Sequence, residues 1–169
     1  RGIQREVINV GTGLVQERHT SDFWVFEGVD KRDYAVSGTW GADGTTYFWD
    51  VTDPAQIRKI DSIQVDARTV NDVKVSEDGR ISVISREGAS SRRNGIVIID
   101  TTNPYDVNII SEYTTNLTGG VHNVFIYQDH VFALSNGERF YVINIEDPKN
   151  PYEVGMFEIG EKGQAIHDV

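Results

Sequence analysis

Tyr47-Phe48-Trp49-Asp50-Val51-Thr52-Asp53-Pro54 decides the fold, because the chain writes this stretch three times. Val97-Ile98-Ile99-Asp100-Thr101-Thr102-Asn103-Pro104 follows it by 50 residues, and Tyr141-Val142-Ile143-Asn144-Ile145-Glu146-Asp147-Pro148 by a further 44. Each copy is an apolar, β-branched or aromatic run that ends in Asp/Asn-x-x-Asp/Asn-Pro. The run reads as a buried strand. An Asp or Asn side chain accepts a hydrogen bond from the backbone two residues on, and proline fixes φ and cannot donate to a ladder. Together they stop the strand and turn the chain. Pro54, Pro104 and Pro148 mark this turn, and the fourth proline, Pro151, follows the last copy closely.

A second signature runs in step with the first. Asn71-Asp72-Val73-Lys74-Val75, His122-Asn123-Val124-Phe125-Ile126 and His167-Asp168-Val169 align, with spacings of 51 and 45 from Asp72 to Asn123 to Asp168. Ser21-Asp22-Phe23-Trp24-Val25 is a weaker copy, 50 residues before that of Asp72. Two independent motifs that share one uneven period define an internal repeat. Each period divides into four short strands. They are expected near 22–26, 33–38, 45–51 and 56–63, then 72–76, 80–86, 95–100 and 107–113, then 121–127, 130–135, 139–145 and 153–159. Glu77-Asp78-Gly79, Gln128-Asp129 and Asn136-Gly137 supply turns between them. No segment of helical length carries a 3.6-residue apolar stripe.

The fold class expected is therefore all-β, a β-propeller-type repeat of four-stranded antiparallel blades. A β-sandwich is the alternative for regularly spaced strands, but it does not require long-range copies of one turn. Residues 21–64, 65–114 and 115–160 read as blades. Residues 161–169 read as the first strand of a following blade, and 1–20 as outer strands of a preceding blade or a cap. About three and a half blades are then present, fewer than the roughly 4–8 of a closed propeller. The expectation is a partial propeller, belonging to something longer, docked in a complex, or paired with a copy of itself. Trp49-Asp50 is a WD dipeptide, but its equivalents are Ile99-Asp100 and Ile143-Asn144 and no Gly-His partner sits at WD40 spacing. Trp49 is read as the aromatic member of an apolar position.

The sequence of His/Asn-Asp/Asn-Val, a hairpin, and an apolar run ending in Asp-x-x-Asp-Pro resembles the LVIVD-repeat propellers. Val97-Ile98-Ile99-Asp100 and Tyr141-Val142-Ile143-Asn144 match the namesake segment, and Pro151-Tyr152-Glu153-Val154-Gly155 resembles its continuation. The resemblance covers about Ser21 to Val169. It implies a bacterial-type, usually extracytoplasmic propeller, periplasmic or at the cell surface, with no generally established activity.

Composition narrows the chemistry. The 169 residues contain 26 acidic and 16 basic side chains, a formal charge of −10, and no cysteine. Zero cysteine excludes a disulfide scaffold, Cys-ligated zinc, iron–sulfur clusters and thiol catalysis. The acidic balance argues against nucleic acid or an anionic membrane as default partner. No apolar stretch reaches the roughly 18–20 residues of a membrane span.

His122 and His167 share one repeat position at the start of an innermost strand, with Asn71 as the third copy. They read either as a converging metal or catalytic site or as a hydrogen-bonding stitch between blades, and Asn71 favours the stitch. Asp72, Asn123 and Asp168 carry the same duality, a calcium site or a backbone cap, with the cap favoured. Asp50, Pro54, Asp100, Pro104, Asn144 and Pro148 recur in every unit and so read as fold determinants. No Gly-x-Ser-x-Gly elbow or phosphate loop is present. The break in the repeat is Ser85-Arg86-Glu87-Gly88-Ala89-Ser90-Ser91-Arg92-Arg93-Asn94-Gly95, where Arg86, Arg92 and Arg93 form a candidate contact site for an acidic partner. The functional expectation is a non-enzymatic protein-interaction or scaffold module, without catalytic, cofactor or metal residues, within a multi-subunit envelope assembly. The alternative is a hydrolase or metal-dependent enzyme at the channel mouth around His122, Asn123, His167 and Asp168.

Overall fold

Successive side chains of a strand point to opposite faces, yet every side chain of Ile96-Val97-Ile98-Ile99 is withdrawn from solvent. Both faces of that strand must be covered. The computed structural model, which describes residues 19–158, 160 and 165–169, contains three four-stranded antiparallel sheets. The first holds β1 (His19–Glu27), β2 (Asp33–Trp40), β3 (Thr45–Asp50) and β4 (Arg58–Gln64) in sequence order. The second holds β5 (Val73–Val75), β6 (Ile81–Arg86), β7 (Gly95–Asp100) and β8 (Asn108–Tyr113). The third holds β9 (Val121–Tyr127), β10 (His130–Ser135), β11 (Arg139–Asn144) and β12 (Tyr152–Glu158). No helix occurs among the described residues.

The second sheet is the filling between the other two. Ile84, Val97 and Ile99 pack with Phe26, Tyr34, Val36 and Phe48 of the first sheet. Val83, Ile96 and Ile98 pack with Val124, Val131, Ala133 and Ile143 of the third. An alternating strand can bury only one face, so the continuous apolar run is the sequence record of two neighbours.

The turn chemistry repeats atom for atom. Asp50, Asp100 and Asn144 each accept the N–H two residues on, from Thr52 at 3.1 Å, Thr102 at 2.9 Å and Glu146 at 3.0 Å. Asp53, Asn103 and Asp147 do the same for Ala55, Tyr105 and Lys149. Between β10 and β11, Asn136 and Gly137 have φ of 55° and 69°, and Glu138 N–H donates to Ser135 O. This is the left-handed two-residue turn that an Asn-Gly pair favours.

A further repeat is not visible as a motif. The register between the third and fourth strands slips in every sheet, between Phe48 and Trp49, between Ile98 and Ile99, and between Val142 and Ile143. The slip leaves Ile60, Ile110 and Val154 as the extra residues on β4, β8 and β12. A bulge of this kind turns a side chain away from strict alternation. Ile60 and Ile110 use it to pack onto the two cores.

One expected boundary is corrected, and the segment expected as the first strand of a following blade pairs with no described strand. His19 and Thr20, assigned to the N-terminal piece, pair with Trp40 and Thr39 and open β1; the strands expected within 1–18 lie outside the described residues. Residues 165–169, expected as a first strand, join no ladder. Ile166 N–H instead donates to Gly137 O at 2.7 Å, so the segment runs against the β10–β11 turn without a partner strand.

Because Ile98 and Ile99 serve opposite cores, Ile98→Ala and Ile99→Ala should each destabilise the fold by about 2–5 kcal/mol. Urea unfolding measures both. A near-zero cost for either would mean that one face of β7 is open.

Candidate functional site

β5 lies between β1 and β9, and these three first strands carry the row of polar residues that the second motif set in register. Each member reaches into the next unit. Ser21 Oγ donates to Val70 O, and Asn71 Nδ2 donates to His122 O at 2.9 Å. Val73 N–H donates to Asp22 Oδ2 at 3.4 Å, and Val124 N–H to Asp72 Oδ2 at 2.7 Å. Asn123 Nδ2 donates to Asp168 Oδ1 at 2.9 Å. Asp72 satisfies Val124 N–H where the second and third sheets meet, and Val73 N–H is shared between Asp72 Oδ1 at 2.9 Å and Asp22 Oδ2.

The row encloses a polar recess of about 320 Å³ lined by Asp22, Asp72, Lys74, His122 and Asp168 among others. Lys74 is its hub: Nζ donates to Asp72 Oδ1, to Asp22 Oδ2 at 3.0 Å and to Val73 O at 3.3 Å, and lies 5.0 Å from the Trp24 ring centroid. Burial opposes charge on Lys74, but its bonds to Asp72 and Asp22 outweigh burial and raise its pKa. Burial, reinforced by the Asp22 carboxyl, pushes the Asp72 carboxyl up to about 6, with Lys74 pulling the other way. For Asp22 burial also disfavours charge, but hydrogen bonds to Asp72 and Lys74 prevail and hold it below its ordinary value. One carboxyl of the pair therefore keeps its proton more readily than the other.

His122 and His167 do come together. Their rings stand edge to face with centroids 5.5 Å apart, and His122 Nδ1 lies 3.1 Å from Glu87 Oε1. Among the described residues, no group of three or more His, Asp or Glu side chains is placed to hold a metal ion. What the arrangement does chemically is exchange hydrogen bonds between neighbouring sheets.

The arginine loop divides. Arg86 is corrected as a contact residue: it ends β6 on the same face as Ile84, is buried at 2% exposure, and gives Nη1 to Glu112 Oε2 at 2.8 Å. It still belongs to β6, whose residues from Ser82 onward are all buried, which a reading of the loop as one stretch overlooked. Arg92 and Arg93 are exposed. Their loop is braced. Asp66 accepts Ser90 N–H at 2.7 Å, Ser91 N–H at 3.1 Å and Ser91 Oγ–H at 2.7 Å, and the Ser91 and Ser90 bonds hold its carboxyl well below the usual range. Asn94 accepts Ala89 N–H and donates to Thr118 O. Pro54 is exposed, Pro104 buried and Pro148 half-buried, so the three copies of the turn are used differently.

Lys74, Asp66 and Glu112 were missed from sequence. Lys74 carried a signal, since a residue two after Asp72 on a strand shares its face. Asp66 and Glu112 carried none, because their partners are 24 to 26 residues away.

A pKa raised on folding stabilises the native state fully below the unfolded value, near 3.8, and that contribution is lost as pH rises through about 6. Asp72→Asn keeps an amide oxygen that can accept Val124 N–H but carries no titrating proton. The stability of Asp72→Asn relative to the parent should therefore increase between about pH 4 and pH 7, by on the order of 1–3 kcal/mol. Urea midpoints of both proteins across that range test this, and a flat difference would contradict it.

No family model and no curated protein matches the sequence. The fold is that of β-propellers. The chain is similar to a hypothetical selenium-binding protein from Sulfolobus tokodaii, with a TM-score of 0.66, 13% identity and 83% of this chain covered. It is similar also to the β-propeller domain of Cps50 (Swd1) from Myceliophteria thermophila, with a TM-score of 0.64, 16% identity and 88% of this chain covered. It spans 39% and 46% of the lengths of those chains. At these identities the likeness is one of fold.

Proposed function

We propose that this chain is part of a β-propeller of the LVIVD-repeat kind that serves as a non-enzymatic protein-interaction or scaffold module, outside the cytoplasm and within a multi-subunit envelope assembly. One observation carries the reading: the inner polar row is spent on bonds between neighbouring sheets, while Arg92 and Arg93 stand exposed on a braced loop. A catalytic row would need groups left available to a substrate. Here Asp72 accepts from Val124 and Lys74, and Asn71 and Asn123 donate to neighbouring units.

The loop supplies what recognition of an acidic partner requires. Two guanidinium groups project from a segment whose ends are fixed, so less side-chain and loop freedom is lost on binding. They stand out in a chain of net charge −10, so their attraction for an acidic surface is local and falls with added salt. The LVIVD motifs and propeller fold support the extracytoplasmic setting. Among the described residues no helix is long and apolar enough to cross a membrane.

The test is capture from envelope extracts of the source organism at low ionic strength. Arg92→Glu/Arg93→Glu should reduce recovery of the specifically retained partner about tenfold or more, as expected for loss of charged contacts. Recovery unchanged by the double substitution would remove the loop from the proposal.

A further inference from the structure

The two junctions between successive sheets follow one plan, but they are closed differently on the face that carries the Asp-Pro turns. Between the first and second sheets, Tyr105 lies across the seam. Its hydroxyl donates to Asp50 Oδ2 at 2.7 Å, and its ring stands edge-on to Tyr34 at 6.1 Å. Asp50 Oδ2 also receives Arg32 Nη2 at 2.6 Å and Arg58 Nη2 at 3.2 Å. Asp50 is buried, yet the bonds from Tyr105 and Thr52 outweigh that burial and hold its carboxyl well below the usual range.

At the second junction the tyrosine and both arginines that reach that carboxylate are replaced, and the turn bond alone is kept. Asp100 stands where Asp50 does, since Ile81 faces Asp100 in the ladder as Tyr34 faces Asp50. Asn108 takes the place of Arg58 opposite it. Lys149 follows Pro148 as Tyr105 follows Pro104, and Gly79 holds the position of Arg32 in the first turn. Asp100 keeps its turn bond from Thr102 at 2.9 Å and is exposed, with no ion pair of its own among the described residues.

Tyr105 covers the first seam while 44% exposed, and Lys149 stands at its position at the second. A groove of about 750 Å³ runs between the second and third sheets. Half-buried Ile81, Ile110 and Ile126 give it apolar lining, and Asp100 stands on its wall. Its lining carries five carboxylates, Asp100 among them, against the two basic groups Arg80 and Lys149. Apolar walls suit an aromatic ring, the unpaired carboxylate suits a hydroxyl and a guanidinium, and the charge excess suits a cation.

We propose that this groove docks a segment of a partner protein that presents a tyrosine beside an arginine. The tyrosine takes the place Tyr105 holds at the sister seam and donates its hydroxyl to Asp100. The arginine supplies the charge that Asp50 receives from Arg32. This site lies on the opposite face from the Arg92–Arg93 loop and does not depend on that loop's role.

The test is a fluorescence-anisotropy titration of the full chain with a labelled peptide Gly-Ser-Tyr-Arg-Ser-Gly and a control in which alanines replace the tyrosine and arginine. The tyrosine–arginine peptide should bind about tenfold or more tightly than the control. Asp100→Asn should weaken it about tenfold while leaving the turn intact, because Asn144 makes the same turn in the third unit. Lys149→Tyr should rebuild the internal plug, abolish peptide binding and raise the melting temperature. Arg92→Glu/Arg93→Glu should leave binding unchanged. Equal binding of the two peptides to the parent protein, or undiminished binding to Asp100→Asn and Lys149→Tyr, overturns the proposal.

Discussion

Everything in this molecule depends on sheets that are apolar on both faces and so cannot be covered by one neighbour. Removing apolar surface from water contributes about 25 cal/mol per Å², and a sheet buried on both sides draws on that contribution twice. The second sheet does so fully, with Val97 and Ile99 in one core and Ile96 and Ile98 in the other. Among the described residues, the first and third sheets do so on one side. Their other faces present Phe23 and Trp40 at one end, and Tyr127 and Phe157 at the other. On the third sheet Phe132, Phe140 and Phe157 form a chain of rings with centroids 6.0 and 5.3 Å apart. Ile166 and Val169 line the same recess, so residues 165–169 lie against this face without forming a strand on it.

Stacked sheets bring a second problem, which the polar row answers. Apolar packing is non-directional and fixes neither the height nor the rotation of one sheet against the next. Hydrogen bonds from Val73 N–H to Asp22 and from Val124 N–H to Asp72 do fix them, because each ties one backbone N–H to a side chain of the preceding unit. The bulges on the fourth strands act at the opposite edge of each sheet, where Ile60 and Ile110 turn toward their cores. Inner strands are pinned by polar bonds and outer strands by apolar side chains, so the first and second sheets are held at both margins, whereas Val154 on the third is exposed.

Which parts of this were legible in the sequence follows from the range of the interactions. The strands and turns were, since alternation, β-branching and the Asx-Pro ending act over two to four residues and leave a local trace. The repeat made them stronger, because three copies average out chance. The bulges were not, for a one-residue slip changes pairing without changing composition. Arg86 misled because its loop was read as one exposed stretch, whereas the residue belongs to β6, which is buried on both faces from Ser82 to Arg86. The bracing of the loop by Asp66 spans a gap that no local pattern crosses.

Repeats also make departures informative, and the two seams show why. Where structural duty is identical, residues with the same side-chain acceptor are retained, as in the turn bonds of Asp50, Asp100 and Asn144. Tyr105, Arg32 and Arg58 are not needed for the turn itself, since Asp100 turns the chain without such partners. Their presence at one seam therefore reflects closure of that seam. The replacement of all three at the other leaves a carboxylate without its cations beside an apolar groove, an arrangement that costs solvation if the groove is merely closed over. Such a site is stable in water and becomes favourable to cover only when the covering group brings its own donor and positive charge. The physical difference between a sealed seam and a receptive one is thus a matter of whether the missing donors lie in this chain or in another.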